Sequence, residues 1–317
     1  MKRMMLSLLM AMAVSCAYAQ GDKVNKIIVG FPPGQATDQV ARLLAQQLSR
    51  ELNENFIVEN RPGQGGSVAL AALARSEPDG NTMVLAALAS LVVNPHLYKN
   101  VGYATLSDFE LVSLVADLPM LLVVNPEVPV QSYSELVSYA KAHPGKLNYA
   151  SSGNGTLSHL GMEELKRHTG TQIAHIPYSG SARSMMDVVG GGVQVAIDTV
   201  AATQSQIRGG KLRLLATTYS ERLPAFPDTP TVAELGVKDF RLSAWLGIIM
   251  PKGTPPARVA ELNAAALKVV QSPEVQSKYA ALGAVPRTMP TPQFRAFVEA
   301  EYKRWGEGVR QAALKVD

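Results

Sequence analysis

One pattern, repeated along the chain, limits what it can fold into: a short apolar strand, a loop of small residues, then an amphipathic helix. The fullest copy is 147–165, Leu-Asn-Tyr-Ala-Ser-Ser-Gly-Asn-Gly-Thr-Leu-Ser-His-Leu-Gly-Met-Glu-Glu-Leu. It reads as a strand over 147–150, a loop over 151–155 and a helix opening at Thr156. Gly153 and Gly155 let the backbone adopt positive φ and approach a ligand closely. Ser151, Ser152, Asn154 and Thr156 add polar side chains. A helix start carries unpaired N–H groups and the positive end of the helix dipole, which suits a small anion. The same residues also make an ordinary βα turn with a Ser/Thr/Asn cap. The rest of the chain has to separate the two.

The same grammar opens the chain after its first twenty-odd residues. Strand 26–30 is followed by the loop Phe31-Pro32-Pro33-Gly34-Gln35-Ala36-Thr37-Asp38, then by a helix with Val40, Leu43, Leu44 and Leu48 on one face. Thr37 or Asp38 is the expected cap. Strand 56–59 leads into Asn60-Arg61-Pro62-Gly63-Gln64-Gly65-Gly66 and a helix from Ser67. That loop is glycine-rich, yet the sixth position of a G-x-G-x-x-G read from Gly63 is Val68, and no P-loop lysine follows. Runs 82–86, 111–115 and 121–124 read as strands, the last two separated by Ala116-Asp117-Leu118-Pro119, as if the chain leaves one sheet for another.

Beyond the central loop come strand 172–176, the loop Pro177-Tyr178-Ser179-Gly180, and a helix ended by Gly190-Gly191-Gly192. Strand 193–197 carries Asp198-Thr199 at its C-terminal end, and 212–216 is a further strand. Run 244–250 is the return strand. Three helices follow, each announced by Ser or Thr before Pro, at Thr254-Pro255, Ser272-Pro273 and Thr291-Pro292, as N-cap then first helical residue. The last shows Phe294, Phe297, Val298, Trp305 and Val309 on one side, a core-packing stripe. Strands alternating with helices argue for parallel sheets, whose ligands bind beyond the C-terminal strand ends. Loops 31–38, 151–156, 177–180 and 198–199 all lie at such ends, and two facing sheets would set them across one cleft.

The first nineteen residues stand outside this pattern. Lys2 and Arg3 precede the apolar run 4–14, and Ala17-Tyr18-Ala19 is a small-x-small cleavage site, so 1–19 reads as a secretory signal cut before Gln20. The apolar run is too short for a stable membrane anchor. Cys16, the single cysteine among 317 residues, lies inside that segment. Cleavage removes every disulfide, thiolate-metal and cysteine-nucleophile reading. The competing processing is lipidation at Cys16 after Ala13-Val14-Ser15, a weak lipobox.

The formal charge is +4, of which Lys2 and Arg3 supply two, leaving +2 on the exported chain. Its basic residues are scattered, which argues against nucleic acid and fits capture of small anions. The 47% apolar content suffices for two α/β domains or one large one.

Residues for covalent or metal chemistry do not assemble in the sequence. His96, His143, His159, His168 and His175 form no H-E-x-x-H-like pair. No G-x-S-x-G elbow makes Ser158 a nucleophile. Asp38, Asp117 and Asp198 are too isolated to assign as an acid–base pair. His159 reads as a packed histidine or a ligand contact, and Asp38 as a cap or the partner of a ligand amine. Arg183 reads as a solvated helix residue or one that reaches an anionic ligand. No metal and no cofactor is expected.

In this order the motifs resemble the Bug-type extracytoplasmic solute receptors, the binding components of tripartite tricarboxylate transporters. The resemblance rests on Gly30-Phe31-Pro32-Pro33-Gly34, Val58-Glu59-Asn60-Arg61-Pro62-Gly63, Pro78-Asp79-Gly80, Tyr149-Ala150-Ser151-Ser152-Gly153-Asn154-Gly155, His159-Leu160, Pro177-Tyr178, Trp245-Leu246-Gly247 and Pro251-Lys252-Gly253-Thr254-Pro255. It covers nearly all of the exported chain. It implies a periplasmic two-domain α/β binding protein of the type II, Venus flytrap architecture, with the ligand cleft between domains. It implies capture of a small organic carboxylate by backbone amides, hydroxyls and waters, and docking on membrane permease subunits. The carboxylate-holding loops correspond to 31–38 and 151–156. The usual Gly-Gly after the Pro-x-Gly turn is Gln35-Ala36 here, so Gln35 either adds a hydrogen bond or narrows the pocket.

The expected arrangement is a monomer with domain one over 20–119 plus 246–317 and domain two over 120–245. The expected ligand contacts are Phe31, Gly34, Gln35, Ala36, Thr37, Asp38, Ser151, Ser152, Gly153, Asn154, Gly155, Thr156, His159, Tyr178 and Asp198, with no catalytic residue. Two alternatives stay open: a ligand-sensing partner of a membrane histidine kinase, and a secreted α/β hydrolase using Ser158 or Ser151. The sequence does not name the carboxylate.

Overall fold

The computed structural model describes residues 24–238, 240 and 242–312. The expected export signal, its cleavage before Gln20 and the Cys16 alternative lie outside the described residues.

The first half runs β1 (Val24–Val29), α1 (Ala36–Leu52), β2 (Asn55–Asn60), α2 (Ser67–Ala74), β3 (Thr82–Ala87), a π-turn (Ala89–Val93) and the short α3 (Asn94–Leu97). Then comes β4 (Phe109–Val124), followed by α4 (Tyr133–Ala142), β5 (Asn148–Ser151), α5 (Leu157–Thr169), β6 (Ala174–Pro177) and α6 (Ser181–Val189). The chain continues through β7 (Val195–Thr199), α7 (Val200–Arg208), β8 (Arg213–Thr217) and β9 (Ser243–Pro251). It ends with α8 (Pro256–Gln271), α9 (Pro273–Leu282), β10 (Val285–Met289) and α10 (Thr291–Ala312).

The strands form two groups that share β4. In the first, β1 pairs in parallel with β2 and β3, and β3 pairs antiparallel with β9. β9 in turn runs antiparallel to β4 from Phe109 to Pro119. In the second, Met120–Val124 of the same strand pairs antiparallel with β7 and β8, and β7 continues through the parallel strands β5 and β6. Apart from half-buried Glu110, β4 is buried throughout. The sequence reading took 111–115 and 121–124 as two strands separated by 116–119, with the chain leaving one sheet for another between them. The structure keeps it whole: Pro119 falls where pairing passes from β9 to β7, so the missing N–H interrupts neither ladder.

Helix α1 buries Val40, Leu44 and Leu48 at a four-residue spacing against the first sheet. Its cap differs from expectation. Gln35 holds the N-cap position with no side-chain bond, and Thr37 and Asp38 lie inside the first turn. The three Ser/Thr-Pro starts also divide. Ser272 caps α9 by accepting the Val275 N–H. Thr254 instead donates to the Pro251 carbonyl while α8 begins at Pro256. Thr291 is itself the first residue of α10 and donates to Val112. Strand β10, absent from the sequence reading, pairs with the first half of β4.

The α10 stripe is core: Phe294, Val298 and Val309 are buried, with Phe297 and Trp305 packed against them. Phe294 sits edge-on to Trp245 and lies over Gly247 of β9. A Cβ at Gly247 would stand 2.2 Å from Phe294 Cζ, and Phe294 is fully buried with nowhere to retreat. Gly247→Ala should therefore destabilise the protein by about 1–3 kcal/mol through overpacking. A denaturant titration checks this, and an unchanged midpoint would show that the ring moves freely.

Candidate functional site

The C-terminal ends of the parallel strands from both groups meet at one cleft. Its innermost part is a cavity of about 50 Å³ lined by Phe31, Gln35, Ala36 and Thr37 on one side. Ser152, Thr156, Leu157, Ser158, Ser181, Asp198 and Thr199 line the other. The shared and returning strands supply Leu118, Met120 and Ala244 between them.

Four helices begin at this cavity: α1 after Gln35, α5 after Thr156, α6 after Gly180 and α7 after Thr199. None of the four has a side-chain cap. Elsewhere Ser132 and Ser272 cap α4 and α9, while α2, α3 and α8 also lack side-chain caps. First-turn N–H groups have no partner inside their helix, and each helix start carries partial positive charge. No Lys, Arg or His lines the inner cavity. What it offers an anion is therefore backbone dipoles and hydroxyls.

Each loop is held in shape from behind. Asp38 is 1% exposed. It accepts from the Gly34 N–H (2.8 Å), Arg42 Nε (2.9 Å) and Asn60 Nδ2 (2.8 Å), and Asn60 also donates to the Phe31 carbonyl. Burial by itself would raise the Asp38 pKa. The hydrogen bonds from Arg42, Gly34 and Asn60 outweigh it and hold the carboxyl below its ordinary range.

In the second loop Ser151 is fully buried and turned away from the cavity, 2.6 Å from His175 Nε2. The His175 ring stacks between Tyr149 and His159, at centroid distances of 4.7 and 4.2 Å. Burial pushes His175 down to about 4, with the neighbouring His159 adding to the effect, and burial lowers His159 as well. Both rings are therefore neutral at physiological pH. His159 Nδ1 accepts the Gly155 N–H. On the cavity side the Ser152, Thr156 and Ser158 hydroxyls cluster, with Ser158 Oγ 2.9 Å from each of the other two oxygens.

Asp198 is the one ionisable residue of the inner cavity. Its Oδ1 accepts from Ser181 Oγ (2.9 Å) and the Thr199 N–H (2.7 Å). Its Oδ2 is buried with no partner among the described residues. Burial pushes its pKa up to about 6, against the lowering effect of the Thr199 and Ser181 bonds.

Further out, a cleft of about 540 Å³ runs between Phe31, Pro62–Gly65 and Tyr98 on one lip and Ser152–Asn154, Thr156 and Tyr178–Gly180 on the other. The lips touch, for Tyr98 Oη donates to the Asn154 carbonyl at 3.0 Å. Gly155 has φ +71°, and a Cβ there would lie 2.9 Å from both Asn94 Oδ1 and Tyr98 Oη. Only glycine allows this approach.

Of the residues expected from sequence, Phe31, Gln35, Ala36, Thr37, Ser152, Thr156 and Asp198 line the inner cavity. Gly153, Asn154 and Tyr178 line the outer cleft, and Gly34 a wider opening beside it. Gly155 sits at the lip contact. Asp38, Ser151 and His159 brace the loops from behind. Sequence reasoning missed Ser181, Thr199, Gly65 and Tyr98 as lining residues, and it weighed Ser158 only as a nucleophile. The Gly63–Gly66 run was the available signal for Gly65. Tyr98 gave none. Among the described residues no three His, Cys, Asp or Glu side chains gather as a metal site, and no helix is long and apolar enough to cross a membrane.

This fold and cleft define a class: two-domain α/β periplasmic-type binding proteins that hold a small ligand between facing loops. Residues 40–314 match the family described as tripartite tricarboxylate transporter family receptor, and the chain belongs to that family. It is 38% identical over 292 residues to the protein BugT of Bordetella pertussis, covering 92% of this chain and 90% of that one. The structure of the periplasmic binding protein BugD superposes with a TM-score of 0.87 at 33% identity, over 93% of this chain and 99% of that one. The R. palustris protein Rpa4515, solved with adipate, superposes with a TM-score of 0.88 at 32% identity, over 94% and 99%.

Two expectations follow from the geometry. Gly155→Val should cost more ligand affinity than Ser151→Ala, because it wedges the lips apart. Ser151→Ala removes a hydroxyl that bonds His175 and the Gly153 backbone behind the loop, each bond worth about 0.5–1.5 kcal/mol, but it leaves the lip contact in place. Calorimetric titration with any carboxylate that raises the melting temperature compares them, and the ligand-free melting temperature checks folding. Normal binding by Gly155→Val would show that closure does not need this contact.

The second concerns stability. A carboxyl whose pKa is higher in the folded chain than in the unfolded one opposes folding once it ionises. For Asp198 that cost begins above pH 3.8 and is complete above about pH 6. Asp198→Asn should stabilise the ligand-free protein by about 1–3 kcal/mol at pH 8, with the gain vanishing near pH 4. Denaturant midpoints at the two pH values test it; equal effects would mean that the carboxylate is solvated.

Proposed function

We propose that the chain is a periplasmic receptor that captures a small carboxylate between two lobes and delivers it to the membrane permease subunits of a tripartite tricarboxylate transporter. The observation that carries this reading is the convergence of four helix starts without side-chain caps on one small cavity that holds no cationic side chain. Such a cavity offers an oxyanion several preorganised N–H donors and hydroxyls. The adipate held by the R. palustris relative is consistent with this chemistry. The lobes of the reading are 20–119 plus 246–317 and 120–245, with β4 and β9 as crossovers, and residues 1–19 act as the export signal. The ligand contacts are the cavity-lining residues of loops 31–38, 151–156, 177–181 and 198–199.

The protein carries out no reaction in this reading. Ser158 has only hydroxyl and N–H neighbours, from Ser152 and Thr156. Ser151 does meet a histidine, but it is fully buried, and His175 is pressed between two rings. Neither serine offers a nucleophile to the cleft.

A ligand bound only by the folded state raises apparent stability by mass action. A melting-temperature screen across mono-, di- and tricarboxylates should show selective upward shifts, and the uncharged amides of the same acids should show none. Small-angle scattering with a shifting acid at saturation should give a smaller radius of gyration than without it. Absence of any shift across the panel would overturn the carboxylate reading.

A further inference from the structure

The anion-binding apparatus contains an element that an anion does not need. Asp198 is 2% exposed and lies at the end of β7, inside the same inner cavity as the uncapped helix starts. One carboxylate oxygen is fully occupied: Oδ1 accepts from Ser181 Oγ and from the Thr199 N–H. The other, Oδ2, is buried and has no donor among the described residues. A buried acceptor left without a donor is costly, and one that carries charge more so. No Lys, Arg or His of the cavity lining can meet it. A ligand that brought only carboxylates would add negative charge beside a negative group in a small cavity.

We infer that the ligand carries, beside its carboxylate, a hydrogen-bond donor that meets Asp198 Oδ2: an ammonium or hydroxyl substituent, as in an α-amino or α-hydroxy acid. This rests on the carboxylate-receptor reading and narrows it. The two halves of such a ligand match the two kinds of group in the cavity. Its carboxylate faces N–H groups and the Ser152, Thr156 and Ser158 hydroxyls, and its donor faces the buried carboxylate oxygen that lacks a donor. An ammonium group would also offset the Asp198 charge directly, leaving the ligand carboxylate to the N–H and hydroxyl donors, so the amino acid is the better fit of the two. The raised Asp198 pKa agrees with a carboxylate that lacks a counter-charge until the ligand arrives.

The test compares matched triplets that differ only at the α-carbon. These are propionate, lactate and alanine; succinate, malate and aspartate; and glutarate, 2-hydroxyglutarate and glutamate. Each is titrated into the ligand-free wild-type chain and into Asp198→Asn. In at least one triplet the amino or hydroxy acid should bind the wild type about tenfold or more tightly than its unsubstituted partner, the scale of one charge-assisted hydrogen bond. Asp198→Asn should erase most of that preference, and should leave the unsubstituted acid unchanged or bound more tightly. Should Asp198→Asn fail to fold, the preference in the wild-type series decides. If an unsubstituted acid binds as tightly as its amino and hydroxy partners, the inference is wrong while the carboxylate reading stands. A protonated Asp198 that donates to a ligand carboxylate would give that same result, with binding kept in Asp198→Asn. If none of the nine acids binds, the donor inference falls, and a wider carboxylate panel decides whether the broader reading falls with it.

Discussion

The structure depends on one strand that belongs to two sheets. Phe109–Val124 is too long and too thoroughly buried to serve a single small sheet. Its first eleven residues complete one sheet and its last five begin the other. That arrangement brings two sets of parallel strand ends to face each other. Pro119 marks the change of partners at a point where its missing N–H costs no ladder bond.

From that geometry comes the way the cavity manages charge. Parallel strands followed by helices place helix N-termini at one end of each sheet. Two sheets face to face therefore aim several helix starts at a common space. The chain keeps that advantage by leaving four of those starts without side-chain caps. The rigidity needed to hold the loops open to a ligand is supplied from behind. Asp38 ties the first loop to Asn60 and Arg42, and the stacked Tyr149, His175 and His159 rings back the second. Residues with the most obvious chemistry in the sequence, two histidines and an aspartate, thus serve as supports. The groups that line the inner cavity are plain hydroxyls, backbone and one orphaned carboxylate oxygen.

Much of this was legible in the residues. The strand–loop–helix repeat, the glycines at 153 and 155, the apolar face of α1 and the stripe of α10 follow from local rules of period and turn chemistry, which act over a few residues. Local rules also set the order of the elements, and with it the parallel strands β1–β3 and β5–β7; the antiparallel pairings of β4, β8, β9 and β10 make both sheets mixed where parallel sheets were expected. Tertiary structure decided what depends on partners far apart in the chain. It made 109–124 one strand, and it tied Asp38 to Asn60, twenty-two residues away, behind the first loop. It turned Ser151 toward His175, twenty-four residues away, and brought Tyr98 against Asn154 across the cleft. A side chain's direction is chosen by burial and by long-range hydrogen bonds, and neither is encoded in its near neighbours. The sequence by itself determined the class of fold and most of the loops at the inner cavity; only the packed structure decided that 62–65 and Tyr98 form the outer lip and which atoms of each loop face the cavity.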